Sequence, residues 1–193
     1  MATFTLDTNC IIDLAENRAA AKAVRALSVS SAEGRAQVAI VSVSASERQP
    51  GDVYLENYND FKARLTALQL EHLEILPTIS YWNIGFWGVG MFGGTAEMVA
   101  RERLIHETLF PTIPFSWTDF AALTGISSES VHVPGAKRWR NAFCDRQMFW
   151  AHDYHQRDVF VTSDDNFRKR LNQSSHFERA HIATPDEAVR LLP

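Results

Sequence analysis

The sequence predicts an α/β protein, a three-layer α/β/α sandwich around a central, mostly parallel sheet, with a largely helical or irregular insertion. Three observations lead there. Short β-type apolar runs alternate with stretches of helical period, the pattern of strands joined by crossover helices. Two of those runs release acidic side chains where they stop: Leu6-Asp7-Thr8-Asn9 near the start and Val161-Thr162-Ser163-Asp164-Asp165-Asn166-Phe167 near the end. Regularity lapses between about residues 78 and 139 and then returns, which marks an insertion within a single domain over 1–193.

Thr3 to Leu6 alternates polar and apolar residues and reads as a half-buried strand. Cys10 to Leu27 reads as one helix, with Ile11, Ile12, Leu14, Val24 and Leu27 on its apolar side. Gln37 to Val43 is β-branched and apolar, a buried second strand. Gly51 breaks the chain before a helix over Tyr54 to Leu70, and Leu73 to Leu76 is a short strand ended by Pro77. Within the insertion, a Gly/aromatic run (Tyr81 to Phe92) leads to a helix at Thr95–Leu109. Pro111 and Pro114 make a turn, and Ser116-Trp117-Thr118-Asp119 opens a short helix as a capping box. A helix over Asn141 to His155, a strand over Val159 to Thr162 and a strand over His181 to Ala183 follow. Thr184-Pro185-Asp186-Glu187 starts the last helix, with an N-cap Thr, Pro at the first position and Glu at the third.

Composition narrows the classes. With 193 residues, 46% hydrophobic and 22% charged, the chain has enough material for a packed core. A net charge of -4 argues against bulk electrostatic binding of nucleic acid but leaves room for a local basic patch. Cys10 and Cys144 form neither a disulfide framework nor a metal spacing, and read as buried free thiols in a reducing, cytoplasmic setting. Asp7 interrupts the N-terminal apolar run, so no signal peptide is expected. The uncharged stretch between Glu74 and Glu97 is too rich in Gly, Pro and polar residues for a spanning helix, so no membrane partner is expected.

Four acids stand where strands stop or adjoining helices start. Asp7 follows the first strand and would either cap the next helix or serve as a metal ligand. Glu47 follows the second strand; Ser44-Ala45-Ser46-Glu47 also fits a capping box. Asp145 lies on a strongly apolar helix and shares a face with Phe149 and His152, where a carboxylate needs an ion pair (Arg138 or Arg146) or a metal. His152 would assist the site or bond to Asp145. Asp164 or Asp165 would cap the helix carrying Phe167 or serve as a ligand. A parallel sheet gathers such strand-end groups in one crevice. Oxygen ligands with few histidines select Mg²⁺ or Mn²⁺. Such a centre activates water and steadies a phosphoryl transition state.

With these residues in this order the chain resembles the PIN-domain family of metal-dependent ribonucleases. The resemblance rests on Leu6-Asp7-Thr8-Asn9 followed by Ile11, Ile12 and Leu14, on Glu47, on Asp145 in its apolar helix, on Thr162 to Phe167, and on the closing Ile182 to Ala188. It covers about residues 3–76 and 140–192. It implies a PIN-like sandwich in which Asp7, Glu47, Asp145 and Asp164 are catalytic and ligate one or two Mg²⁺ or Mn²⁺ ions. Asn9 would orient Asp7 or a water, Thr162 would bond within the site, and Asp165 and Asn166 would support it. The expected activity is endonucleolytic cleavage of RNA that leaves a 5′-phosphate and a 3′-hydroxyl. Three features depart from the family pattern: Asn166 stands where an acid is common, Pro50-Gly51 cuts short the helix expected after Glu47, and the short toxin members have nothing like the insertion.

For substrate, Lys137, Arg138 and Arg140 precede Asp145 and Arg168 follows Asp164. These basic runs would guide an RNA backbone to the metals, or are solvated helix ends. Trp139 would stack on a base or pack. The Gly/aromatic run reads as core or as an interface for a homodimer or an antitoxin, the latter fitting a toxin role. Two other functions stay open: a haloacid-dehalogenase-like phosphatase, which usually wants Asp where Asn9 stands, and a non-catalytic RNA- or protein-binding module.

Overall fold

The computed structural model describes residues 1–47, 54–81, 84–86, 88–92 and 94–193. Among these, five strands form one parallel sheet: β1 (Thr3–Leu6), β2 (Gln37–Val41), β3 (Glu74–Leu76), β4 (Val159–Val161) and β5 (His181–Ala183). Their spatial order is β3-β2-β1-β4-β5. The chain winds outward from β1 through β2 to β3, then crosses to the other side of β1 for β4 and β5. The switch point therefore lies between β1 and β4, where Leu6 is in register with Val161, and ligand crevices open outside the carboxyl ends of strands at such points.

The period of two along each strand divides the interior into two layers. Phe4, Leu6, Val38, Ile40, Val159 and Val161 pack on one face with α1 (Thr8–Ala15), α2 (Ala21–Ala32), α3 (Tyr58–Ala67) and α8 (Pro185–Val189). Ala39, Val41, Phe160 and Ile182 pack on the other face with α4 (Ala96–Leu109), α5 (Trp117–Thr124), α6 (Lys137–Tyr154) and α7 (Asp165–Asn172). This is the expected three-layer α/β/α sandwich, with the helices of the insertion on the α6 side and its Phe86 packed against the other core, near Tyr58. No helix among the described residues is long and apolar enough to cross a membrane.

Several boundaries differ from the sequence reading. The first predicted helix is two, α1 and α2, because Asn17 adopts a left-handed φ of 50° and turns the chain. Strand β2 stops at Val41, and Ser42–Ala45 forms a 3-10 turn that carries the chain to Glu47. Helix α6 begins four residues before the predicted Asn141, which lengthens its contact with the insertion. The break expected at Pro50-Gly51 lies outside the described residues. In the Gly/aromatic run, the described Ile84 is buried in the α6-side core and Tyr81 packs against it, in line with the core reading, while Trp82 and Trp87 lie outside the described residues.

The caps follow the sequence closely. Thr95 and Ser116 accept from Met98 N and Asp119 N at the starts of α4 and α5. At α8 the box is reciprocal, with Glu187 N donating to Thr184 Oγ1 (3.2 Å) and Thr184 N to Glu187 Oε2 (2.7 Å). Thr184→Ala is expected to lower unfolding stability by about 1 kcal/mol, read from the urea midpoint; an unchanged midpoint would mean that water serves the exposed terminus as well.

Candidate active site

Each candidate acid is delivered by a different element. Asp7 follows β1 and Glu47 follows the turn after β2. Asp164 follows β4. Helix α6 leads directly into β4 and runs back against it, which brings its first half, with Asp145, to the carboxyl edge of the sheet. Asp7 is buried and Glu47, Asp145 and Asp164 are partly exposed, and the four stand at the edge of the sheet where a ligand recess is expected.

Asp7 occupies the N-cap position of α1, yet its side chain makes no capping bond. Its Oδ2 instead accepts from Thr162 Oγ1 (2.6 Å) and Asn9 Nδ2 (3.1 Å). Thr162 Oγ1 also accepts from Asp164 N (3.0 Å), so one hydroxyl ties the ends of β1 and β4 together. Asp164 is the true cap of α7: its Oδ1 accepts from Asn166 N (2.8 Å) and Phe167 N (3.1 Å). Asp164 both caps the helix and borders the recess. Asp165 and Asn166 point to solvent on the first turn of α7.

The electrostatics show that the acids sense one another. Burial raises the Asp7 carboxyl from 3.8 to about 6; bonds from Thr162, the Thr8 backbone and Asn9 oppose the rise, and the Asp164 charge adds to it. Burial also pushes Glu47 well above the usual range, reinforced by Asp145 and Asp7 and opposed by a hydrogen bond from Thr8. Asp145 is pushed up by burial and then by the charges of Asp7 and Asp164. Among the described residues no ion pair rescues Asp145: Arg146 bonds to Glu102 and Arg138 to Thr112.

Among the described residues, no three His, Cys, Asp or Glu side chains are drawn closely enough together to enclose an ion. What is present is a set of neighbouring carboxylates, of which Asp7, Glu47 and Asp145 are raised by burial and then by the acid charges beside them, with no ion pair joining Asp7, Asp145 or Asp164 to a basic side chain among the described residues. Such a donor set fits a hard divalent cation, which would neutralise the repulsion that protons relieve in its absence.

Other expected residues lie elsewhere. His152 does not reach Asp145; its Nδ1 lies 3.1 Å from Thr5 Oγ1 in the core, and burial lowers its pKa to about 4. Trp139 is buried, donating to Pro114 O and stacking on Phe143, so it packs and has no face free for a base. Of the expected RNA contacts, Arg140 is only 5% exposed, Arg138 bonds to Thr112 and Arg168 to Glu187 and Asp165. Lys137 remains exposed at the start of α6. Arg138 is exposed as well, as are Lys169 and Arg170 on α7, so of these basic residues the fold encloses Arg140 alone.

Three contacts that brace the acids escape sequence reasoning. Thr8 bonds to Glu47, and its hydroxyl lies 2.8 Å from that of Ser44; its place beside Asp7 was the available signal. Asp13 accepts from Ser163 Oγ (2.8 Å) and steadies the loop between Thr162 and Asp164 from the α1 side; an acid amid Ile11, Ile12 and Leu14 was the clue. Arg140 donates to Ser46 O across a sequence gap that gives no local signal. No protein-family model matches the chain, and no curated protein or solved structure matches it.

Proposed function

We propose that this protein is a metal-dependent endoribonuclease of the PIN type that hydrolyses phosphodiester bonds in RNA. The observation that carries this reading is the convergence of Asp7, Glu47, Asp145 and Asp164 beside the β1/β4 switch point, where burial and then the neighbouring acid charges raise the carboxyls of Asp7, Glu47 and Asp145. Structural carboxylates are normally paired with bases or hydrogen-bonded at caps; a mutually repelling, partly exposed set is costly unless a ligand uses it.

Asp7, Glu47, Asp145 and Asp164 would hold one or two Mg²⁺ or Mn²⁺ ions, which when bound supply Lewis acidity at the scissile phosphate and lower the pKa of a water. The chain's own residues do the rest. Thr162 and Asn9 hold Asp7 at Oδ2 and fix its rotamer. Thr8 orients Glu47, and Asp13 acts through Ser163 to set the turn before Asp164. A carboxylate of the set would accept the proton that the attacking water gives up. Lys137, exposed at the start of α6, would meet the backbone of an incoming strand.

Cleavage of end-labelled single-stranded and hairpin RNAs tests the proposal. Mn²⁺- or Mg²⁺-dependent cutting is expected, abolished by EDTA and reduced by at least about 10²-fold in Asp145→Asn, whose fold should be unchanged. Cleavage that survives in that variant would refute the assignment, and turnover of a small phosphate monoester without RNA cleavage would favour a phosphatase.

A further inference from the structure

Arg140 is the one basic residue of the Lys137-Arg138-Trp139-Arg140 run that the fold buries, and its partners explain why. Its Nη2 donates to Ser46 O (3.2 Å), the carbonyl directly before Glu47. Its guanidinium lies over the Tyr54 ring, 3.7 Å from the centroid. Its Nη1 donates to His132 Nδ1 (3.2 Å), in the insertion. One planar cation therefore grips both flanks of the segment between Glu47 and Tyr54 and ties them to α6, five residues from Asp145, and to the insertion. Arginine suits this task because its fork can donate in two directions while its face stacks on an aromatic ring; a lysine ammonium cannot do all three.

We propose that Arg140 is a positioning residue: it clasps the segment that carries Glu47 and so sets the Glu47 carboxylate into the recess beside Asp7 and Asp145. Its contribution is geometric, through the Ser46 carbonyl and the Tyr54 ring, and requires no contact with RNA. The consequence for metal binding rests on the ribonuclease reading above; the clasp itself does not. It also gives the insertion a role in the site, since His132 is the third point of attachment.

The experiment compares wild type, Arg140→Ala, Arg140→Lys and Tyr54→Leu by two readouts. The first is amide hydrogen exchange of peptides covering residues 43–56 in the metal-free protein. The second is Mn²⁺ affinity by calorimetry, with thermal unfolding as the check on global fold. Arg140→Ala is expected to speed exchange in that segment several-fold and to weaken Mn²⁺ binding at least about tenfold, a loss of about 1.4 kcal/mol. Arg140→Lys and Tyr54→Leu should fall between it and wild type, and Tyr54→Leu keeps the test open if Arg140→Ala does not fold. Unchanged exchange overturns the clasp. Faster exchange with unchanged Mn²⁺ affinity overturns the positioning of Glu47. If wild type binds no Mn²⁺, the ribonuclease reading fails with the metal role proposed here, while faster exchange in Arg140→Ala would still establish the clasp.

Discussion

Asp7→Asn is expected to make the metal-free protein more stable near neutral pH while removing the metal-dependent activity proposed for it. Burial is the main reason that the Asp7 carboxyl titrates at about 6 rather than 3.8. A carboxyl raised in the folded state holds its proton more tightly there than in the unfolded chain. Its contribution is therefore fully present below pH 3.8 and is lost as pH rises through about 6. Glu47 and Asp145, also raised, act in the same direction. At roughly 1.4 kcal/mol per pKa unit, the ionised Asp7 costs up to about 3 kcal/mol. The neutral amide keeps an oxygen for Thr162 to donate to and avoids most of that cost, so a gain of about 1–3 kcal/mol is expected at about pH 7.5 and little at about pH 4. Urea unfolding in EDTA at both pH values measures it. Mn²⁺ should stabilise wild type more strongly at the higher pH and the variant hardly at all. A variant less stable than wild type near neutrality would mean that the Asp7 carboxylate stabilises the fold and is no strained ligand.

The largest loss of stability is expected from Glu102→Ala. Glu102 on α4 is fully buried and accepts from Arg146 Nε and Gln147 Nε2, both at 2.7 Å on Oε1, and from the Tyr81 hydroxyl on Oε2. Arg146, 1% exposed, also donates to Phe115 O (2.8 Å) and faces the rings of Phe115 and Phe143. Removing Glu102 strands a guanidinium in a sealed interior, which costs about 3–5 kcal/mol. Glu102→Met combined with Arg146→Met should recover part of it, because no charge is left uncompensated; the Phe115 carbonyl, Tyr81 hydroxyl and Gln147 amide still lose partners. Urea unfolding of the two single variants and the double variant closes the cycle. A cost below about 1 kcal/mol for Glu102→Ala would show that water reaches the pair. Because Arg146 adjoins Asp145, the network also fixes the rotation of α6, and the expected companion effect is weaker activity in any variant that folds.

Strand–helix alternation and the residues at strand ends were legible without coordinates because they are local. A run such as Val159-Phe160-Val161 must be buried on both faces, and Asp7 and Asp164 necessarily emerge where β1 and β4 stop. The caps at Ser116 and Thr184 were equally legible, since each is settled within four residues. The break at Asn17 was not, because the Ala-rich stretch that follows has good helix propensity and only packing of α1 against α2 requires the turn.

What the tertiary structure alone decided is where the charges go. Sequence placed Arg138, Arg140 and Arg168 alike beside the acids as RNA contacts; the fold buries Arg140 against the Ser46 carbonyl and leaves Arg138 and Arg168 with partners at the surface. Helical spacing put His152 with Asp145, but the two side chains are two turns apart on α6, and the packing of α6 on the sheet carries His152 to Thr5. The identity of the four acids was written in the chain. Their mutual repulsion, and the Thr8, Asp13 and Arg140 contacts that brace them, exist only after distant strand ends have been brought to a single edge of the sheet.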